Sequence, residues 1–151
     1  MAPRRDRFTP DLFDWQPPPV AVRFEDETAI RAASVAGRLS RSVAVVLKEA
    51  DADREAVAAR MSEYLGEEVS KNMLDAYASQ AREAHNISLA RAFALLHATS
   101  DARIFGTELE RFDLAIIPRR FLAAVEEAMW TEQEERARQK RLAARNRWKG
   151  V

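Results

Sequence analysis

The stretch "REAVAARMSEYLGEEVSKNMLDAYAS", residues 54–79, limits the fold of this chain more than any other. Helix-favouring residues run as far as Leu65, and Gly66 stands where a left-handed cap ends a helix. Asp53 precedes the run as an N-cap, with Glu55 in the first turn. After a short turn Ser70 opens a second helical run. Ala56, Val57, Ala59 (or the stem of Arg60), Met61, Tyr64 and Leu65 are expected on the inner face of the first run. Val69 packs back after the turn, and Met73, Leu74 and Tyr77 point inward on the second. Two helices joined so tightly form either a helix-turn-helix that enters a DNA groove or a helical corner that serves packing alone.

The flanking sequence is read as helical too. Apolar residues at Ile30, Val35, Leu39, Val43, Val46 and Leu47 recur at helical spacing over residues 25–50. The acidic start Glu25, Asp26 and Glu27 suits the positive end of a helix dipole. Gly37 inside this run marks either close packing or a break. "AREAHN" is a polar connection, and Ser88 or the residues just before it open "LARAFALLHATS", with Leu89, Phe93, Leu95 and Leu96 apolar. Asp101 is placed to cap a short helix through Leu109, and "LAII" reads as a short strand or an extended turn. Pro118 begins a long helix, since proline is tolerated at the first position. Its apolar stripe of Phe121, Leu122, Val125 and Met129 fades after Trp130, so the remainder is solvent-exposed or paired with a partner.

Composition agrees with an all-α chain. The sequence holds 4 glycines in 151 residues, 47% hydrophobic and 32% charged residues, enough for one modest core. No apolar run approaches the roughly 18 residues of a spanning helix, so no membrane association is expected. "MAPRRDRFTP" lacks the apolar centre of a secretory signal. With no cysteine there is no disulfide and no thiolate metal site, and a cytoplasmic setting is the expectation.

Three parts follow: an extended N-terminal arm (residues 1–24), a helical domain of five or six helices in all with the C-terminal one (25–117, its helix-turn-helix at 53–82), and the long C-terminal helix with a basic tail (118–151). In the arm, Pro10 and the triplet Pro17, Pro18 and Pro19 oppose helix. Between them "DLFDW" places Leu12, Phe13 and Trp15 among aspartates. These three either cover the protein's own core or a sister subunit, or dock into another protein.

Net charge is zero, yet its distribution is uneven. Residues 53–110 carry six basic and ten acidic side chains, a net of −4. Residues 136–151 carry Arg136, Arg138, Lys140, Arg141, Arg145, Arg147 and Lys149 with no acid. This tail is either a solvated helix end or an arm that contacts phosphates, releasing counterions. Trp148 within it is suited to stacking on a base. On the second helix of the 54–79 stretch, Lys71, Asn72, Asp75, Ala76 and Gln80 are expected outward, with Arg82 just beyond. Asparagine and glutamine pair bidentately with adenine, while lysine and arginine serve guanine or phosphate. Lys71, Asn72, Gln80 and Arg82 are therefore the candidate DNA-contacting residues.

Residues 53–105 resemble the lambda-repressor-like helix-turn-helix fold, through "REAVAARMSEYLG", "EEVSKNMLDAYAS" and "SLARAFALLHATSD". More narrowly, "DLFDW" with its prolines, "AARMSEYLGEEVSKNMLDAYASQAREAH" and "SLARAFALLHATSD" resemble small early-region proteins of Mu-like transposable phages and prophages. The resemblance implies a role in phage regulation or DNA transposition and no more. Double-stranded DNA as partner and a homodimer as the assembly are expected from the overall reading of the residues.

No enzymatic constellation is present. The histidines are His85 and His97, the latter read as a packed or partly exposed helix residue, and there is no HExxH, phosphate loop or serine elbow. Neither a metal nor a cofactor is expected, and catalysis is not. The alternative to DNA binding is a protein–protein adaptor that docks partners through the "DLFDW" arm and the acidic face around Glu67, Glu68 and Asp75.

Overall fold

The computed structural model describes residues 19–79 and 86–150. Among these the regular structure is helical, with no strand: α1 (Val35–Glu49), α2 (Arg54–Leu65), α3 (Lys71–Tyr77), α4 (Leu89–Thr99), α5 (Arg103–Glu110), a 3-10 turn (Arg119–Phe121) and α6 (Leu122–Lys149). Leu12, Phe13 and Trp15 lie outside the described residues.

Local capping sets most boundaries. Asp53 accepts from the Ala56 amide at 2.8 Å, Ser70 from Met73 at 3.3 Å and Ser88 from Arg91 at 3.4 Å. Each closes an orphan donor of a helix first turn. Gly66 ends α2 at φ +70°, its amide bonded to the Ser62 carbonyl at 2.9 Å. Any side chain there is strained by the backbone alone.

The first helix departs from expectation. It begins at Val35, ten residues after Glu25, capped by Ser34, whose hydroxyl oxygen accepts from the Gly37 amide at 3.0 Å. The acidic residues upstream do not open a helix because Asp26 closes a turn instead, accepting from the Thr28 amide at 2.9 Å and from its hydroxyl. Such local side-chain bonds compete with helix formation. The turn folds Ile30 into the core, while Val35 is exposed. Gly37 lies buried inside an unbroken α1.

One core joins α1 to α5. α2 packs mainly on α4 and also on α3, and α1 rests on α3 and α5. At its centre are Val43 and Val46 of α1, Val57 and Met61 of α2, Leu74 of α3 and Leu95 of α4, each at most 1% exposed. Burying a side chain of this kind contributes about 1.5–3 kcal/mol. The buried face of α2 is Val57, Ala58 and Met61. Tyr64 and Ala59 are exposed, contrary to expectation, and so is Arg60. Tyr64 instead stacks on His97 of α4 with ring centroids 4.6 Å apart, and Arg60 donates to the Ala98 carbonyl at 3.2 Å. α4 thus meets the flank of α2, leaving these long side chains to lie over the seam.

The end of the arm is tied to α5. The Val22 amide donates to the Ile116 carbonyl at 2.8 Å, a single bond to the arm, so residues 114–117 are an extended segment rather than a strand. The Phe24 amide donates to Thr107 Oγ1 at 3.1 Å, and Phe24 is buried beneath the Arg103 guanidinium, 4.7 Å from its ring centroid. Asp101 accepts from the Arg103 amide at 3.0 Å, and the same arginine reaches Glu49 of α1 at 2.6 Å. These carboxylates raise the Arg103 pKa above the usual guanidinium value.

Pro118 precedes the 3-10 turn rather than opening the long helix, which starts at Leu122. α6 is 28 residues long, about 42 Å at 1.5 Å per residue, and none of its residues is buried. Among the described residues, no helix is long and apolar enough to cross a membrane.

Candidate nucleic-acid interface

The corner between α2 and α3 is built around Ser62. The Val69 amide donates to Ser62 Oγ at 2.8 Å, and that oxygen also lies 2.9 Å from the Ala58 carbonyl and 3.2 Å from the Val69 carbonyl. One hydroxyl thereby satisfies the turn from inside, while Val69 itself is 4% exposed in the core. A serine in mid-helix gives no sequence signal for this role, which depends on where the chain returns after Gly66.

Charge pairs brace the corner from outside. Arg54 of α2 bonds Asp75 of α3, and Lys71 Nζ lies 2.9 Å from Glu55 Oε1. Arg91 of α4 reaches Glu67 in the turn at 3.2 Å and also donates to the Tyr77 hydroxyl at the end of α3. The bond with Glu55 raises the Lys71 pKa and, in return, the lysine lowers that of Glu55. Two of the three acidic residues that define the acidic face are therefore each matched by an arginine. None of these pairs is evident from spacing, because Arg54 and Asp75 are 21 residues apart and Arg91 and Glu67 are 24 apart.

Lys71 and Asn72 are the first two residues of α3, and both are exposed. Asp75 is half-buried beside Arg54. Ala76 is buried, contrary to the outward placement expected, because α3 is enclosed on the side that carries Leu74, Ala76 and Tyr77. Gln80 and Arg82 lie outside the described residues.

Arg136, Arg138, Lys140, Arg141, Arg145, Arg147 and Lys149 fill the second half of α6 and are all exposed. Arg136 pairs with Glu132 one turn earlier at 2.6 Å, and Arg138 lies 3.9 Å from Glu135. Trp148 is 84% exposed among them. The candidate cations thus divide between α3 and α6.

Among the described residues, no group of three or more histidine, aspartate or glutamate side chains is placed to hold a metal ion. A hollow of about 520 Å³ lies between α1, α5 and the turn at Ile30, and is open to solvent. Its Arg38 is occupied by a two-pronged bond to Glu108 at 2.8 and 3.0 Å. Comparison with known proteins finds no matching family model, no similar curated protein and no similar solved structure.

Proposed function

We propose that this chain is a DNA-binding regulatory or accessory protein that presents the start of α3 to a duplex groove. The observation that carries this reading is the exposure of Lys71 and Asn72 side by side on the first turn of α3. Recognition helices make their base contacts from such N-terminal positions. Asparagine matches the two hydrogen-bonding edges of adenine, and lysine matches guanine or a phosphate.

Two further features support it. The Ser62 bonds and the arginine pairs hold α3 at a set angle to α2, as a reading element requires. Pairing also offsets the repulsion that Glu67 and Asp75 would exert on phosphates. The basic half of α6 adds sequence-independent affinity that falls as salt rises. The resemblance of the sequence to Mu-like phage early-region proteins supports a role in phage regulation or transposition.

The test is a titration of a duplex selected from a random pool, alongside an unselected duplex. Lys71→Ala with Asn72→Ala is expected to weaken the selected complex by about ten- to a hundredfold, the loss of one or two base contacts. Helical content, read by circular dichroism, stays unchanged. Equal affinity of variant and parent for both duplexes rejects α3 as the reading element.

A protein–protein adaptor is the second reading, favoured by the exposed aromatic side of α4. Tyr64 stacks on His97 there, and Phe93 stacks on Phe105 at 5.1 Å. Aromatic residues of this kind are enriched in protein interfaces. An absence of affinity for unselected duplex even at low salt decides for the adaptor.

A further inference from the structure

α6 divides into two halves of opposite charge. Residues 122–135 carry five acidic and no basic side chains, whereas 136–149 carry seven basic and no acidic ones. This order suits the helix dipole, so charge alone is explained by a free-standing helix. The apolar side chains are not. Leu122, Val125 and Met129 are all exposed, on a helix with no buried residue. Exposed apolar residues at repeated helical spacing mark an interaction face.

The spacing defines a seam. Steps of three and four lead from Leu122 through Val125, Met129, Glu132, Arg136 and Gln139 to Ala143 and Asn146. A seam of this period is the contact line of two paired helices, and charge on and beside it sets their orientation. Parallel, in-register pairing sets Glu132 against its own copy and Arg136 against its own. Antiparallel pairing centred near Glu134 sets Glu132 against Arg136 twice, Val125 against Ala143, and Glu126 near Lys140 and Arg147. The acidic half then lies along the partner's basic half over the whole length.

We propose that α6 pairs antiparallel with α6 of a second copy of this chain, joined by its complementary halves. The twofold axis of such a dimer passes through the middle of the helix, the self-complementary arrangement of a closed pair. Half of the eight seam positions are polar or charged, so the pair is held by charge as much as by burial and weakens with salt. Arg138, Arg141 and Arg145 point away from the seam and stay open to solvent. This inference does not depend on α3 reading DNA.

Sedimentation of the 151-residue chain tests it. The expected result is a dimer at low salt whose dissociation constant rises at least tenfold at high salt. Glu126→Lys with Glu132→Lys yields a monomer, as does Arg136→Glu with Lys140→Glu and Arg147→Glu. An equimolar mixture of the two variants restores the dimer, which also shows that each still folds. A monomer at low salt, or dimers that both variants leave intact, overturns the proposal. Orientation is read by oxidation, since the chain has no cysteine of its own. Val125→Cys mixed with Ala143→Cys forms a mixed disulfide if the helices run antiparallel. Self-linking of each variant without the mixed product overturns that orientation.

Discussion

Ser62 and Val69 are joined across the α2–α3 turn by a hydroxyl oxygen 2.8 Å from the valine amide and 3.2 Å from its carbonyl. Seven residues separate them, and the bond keeps the turn closed while Val69 enters the core. Ser62→Ala leaves the Val69 amide without its partner, a loss of about 1–3 kcal/mol. Urea unfolding followed by circular dichroism reads this as a lower midpoint with an unchanged slope. A midpoint equal to the parent's excludes the hydroxyl as the brace of the corner.

Gly106 is needed for steric reasons. A Cβ at position 106 would lie 1.6 Å from the Val22 carbonyl oxygen and 2.8 Å from its carbon. Because backbone must move, Gly106→Ala is expected to cost about 1–3 kcal/mol, or to free the 19–24 segment from α5. Trypsin distinguishes the two, since released Arg23 is cut faster while a strained but docked segment lowers the melting temperature alone. A variant unchanged in both contradicts the packing of Val22 on α5.

Met61 is fully buried between α2 and its neighbours. Met61→Ala is expected to destabilise by about 2–5 kcal/mol through lost burial and the cavity that remains. Tyr64→Ala, three residues on, removes an exposed ring and its stack on His97, and is expected to cost under half of that. Comparing the two urea midpoints checks which face of α2 is inside. Equal losses contradict the assignment.

Asp75 shields Arg54 from any phosphate near α3. Asp75→Asn frees the arginine and removes one repulsive charge. Affinity for unselected duplex is expected to rise several-fold, with the salt dependence steeper by about one counterion. A drop in affinity would place DNA elsewhere than at α3.

Glu55 and Asp26 both titrate below the ordinary carboxylate range, Glu55 through its hydrogen bond from Lys71 and Asp26 through that from Thr28. A carboxylate with a lowered folded-state pKa adds stability above its unfolded value and loses it as pH falls through the folded one. The advantage over Glu55→Gln and Asp26→Asn is therefore full at about pH 7, begins to fall as pH drops through the unfolded-state values of about 4, and is gone only below the lowered folded-state values. Both carboxylates are fully exposed, so the effect is small and is read as paired urea midpoints. A difference that persists unchanged in acid removes these bonds from the account.

What the amino-acid order determined by itself is the set of local events. Asp53, Ser70 and Ser88 cap helices, and Gly66 ends one, because a cap bonds an amide two or three residues away and requires no other part of the chain. The all-helical class, the run of α2 and α3, and the length of α6 follow from such signals and from spacing. Local signals point elsewhere than the fold at Asp26, where a turn on Thr28 outcompetes a helix start, and at Pro118, which stands ahead of a 3-10 turn instead of opening α6. Spacing puts Val57, Met61, Leu74 and Tyr77 inside, as the structure does, and only the tertiary structure decided where the edge of each buried face falls. The flank that α4 presents to α2 buries Ala58 and leaves Tyr64 out, and the packing around α3 covers Ala76. The same holds for Gly106 under Val22, for Arg91 reaching Glu67, and for an α6 whose apolar residues meet solvent. These contacts join residues distant along the chain, and their energies depend on a geometry that no local pattern encodes.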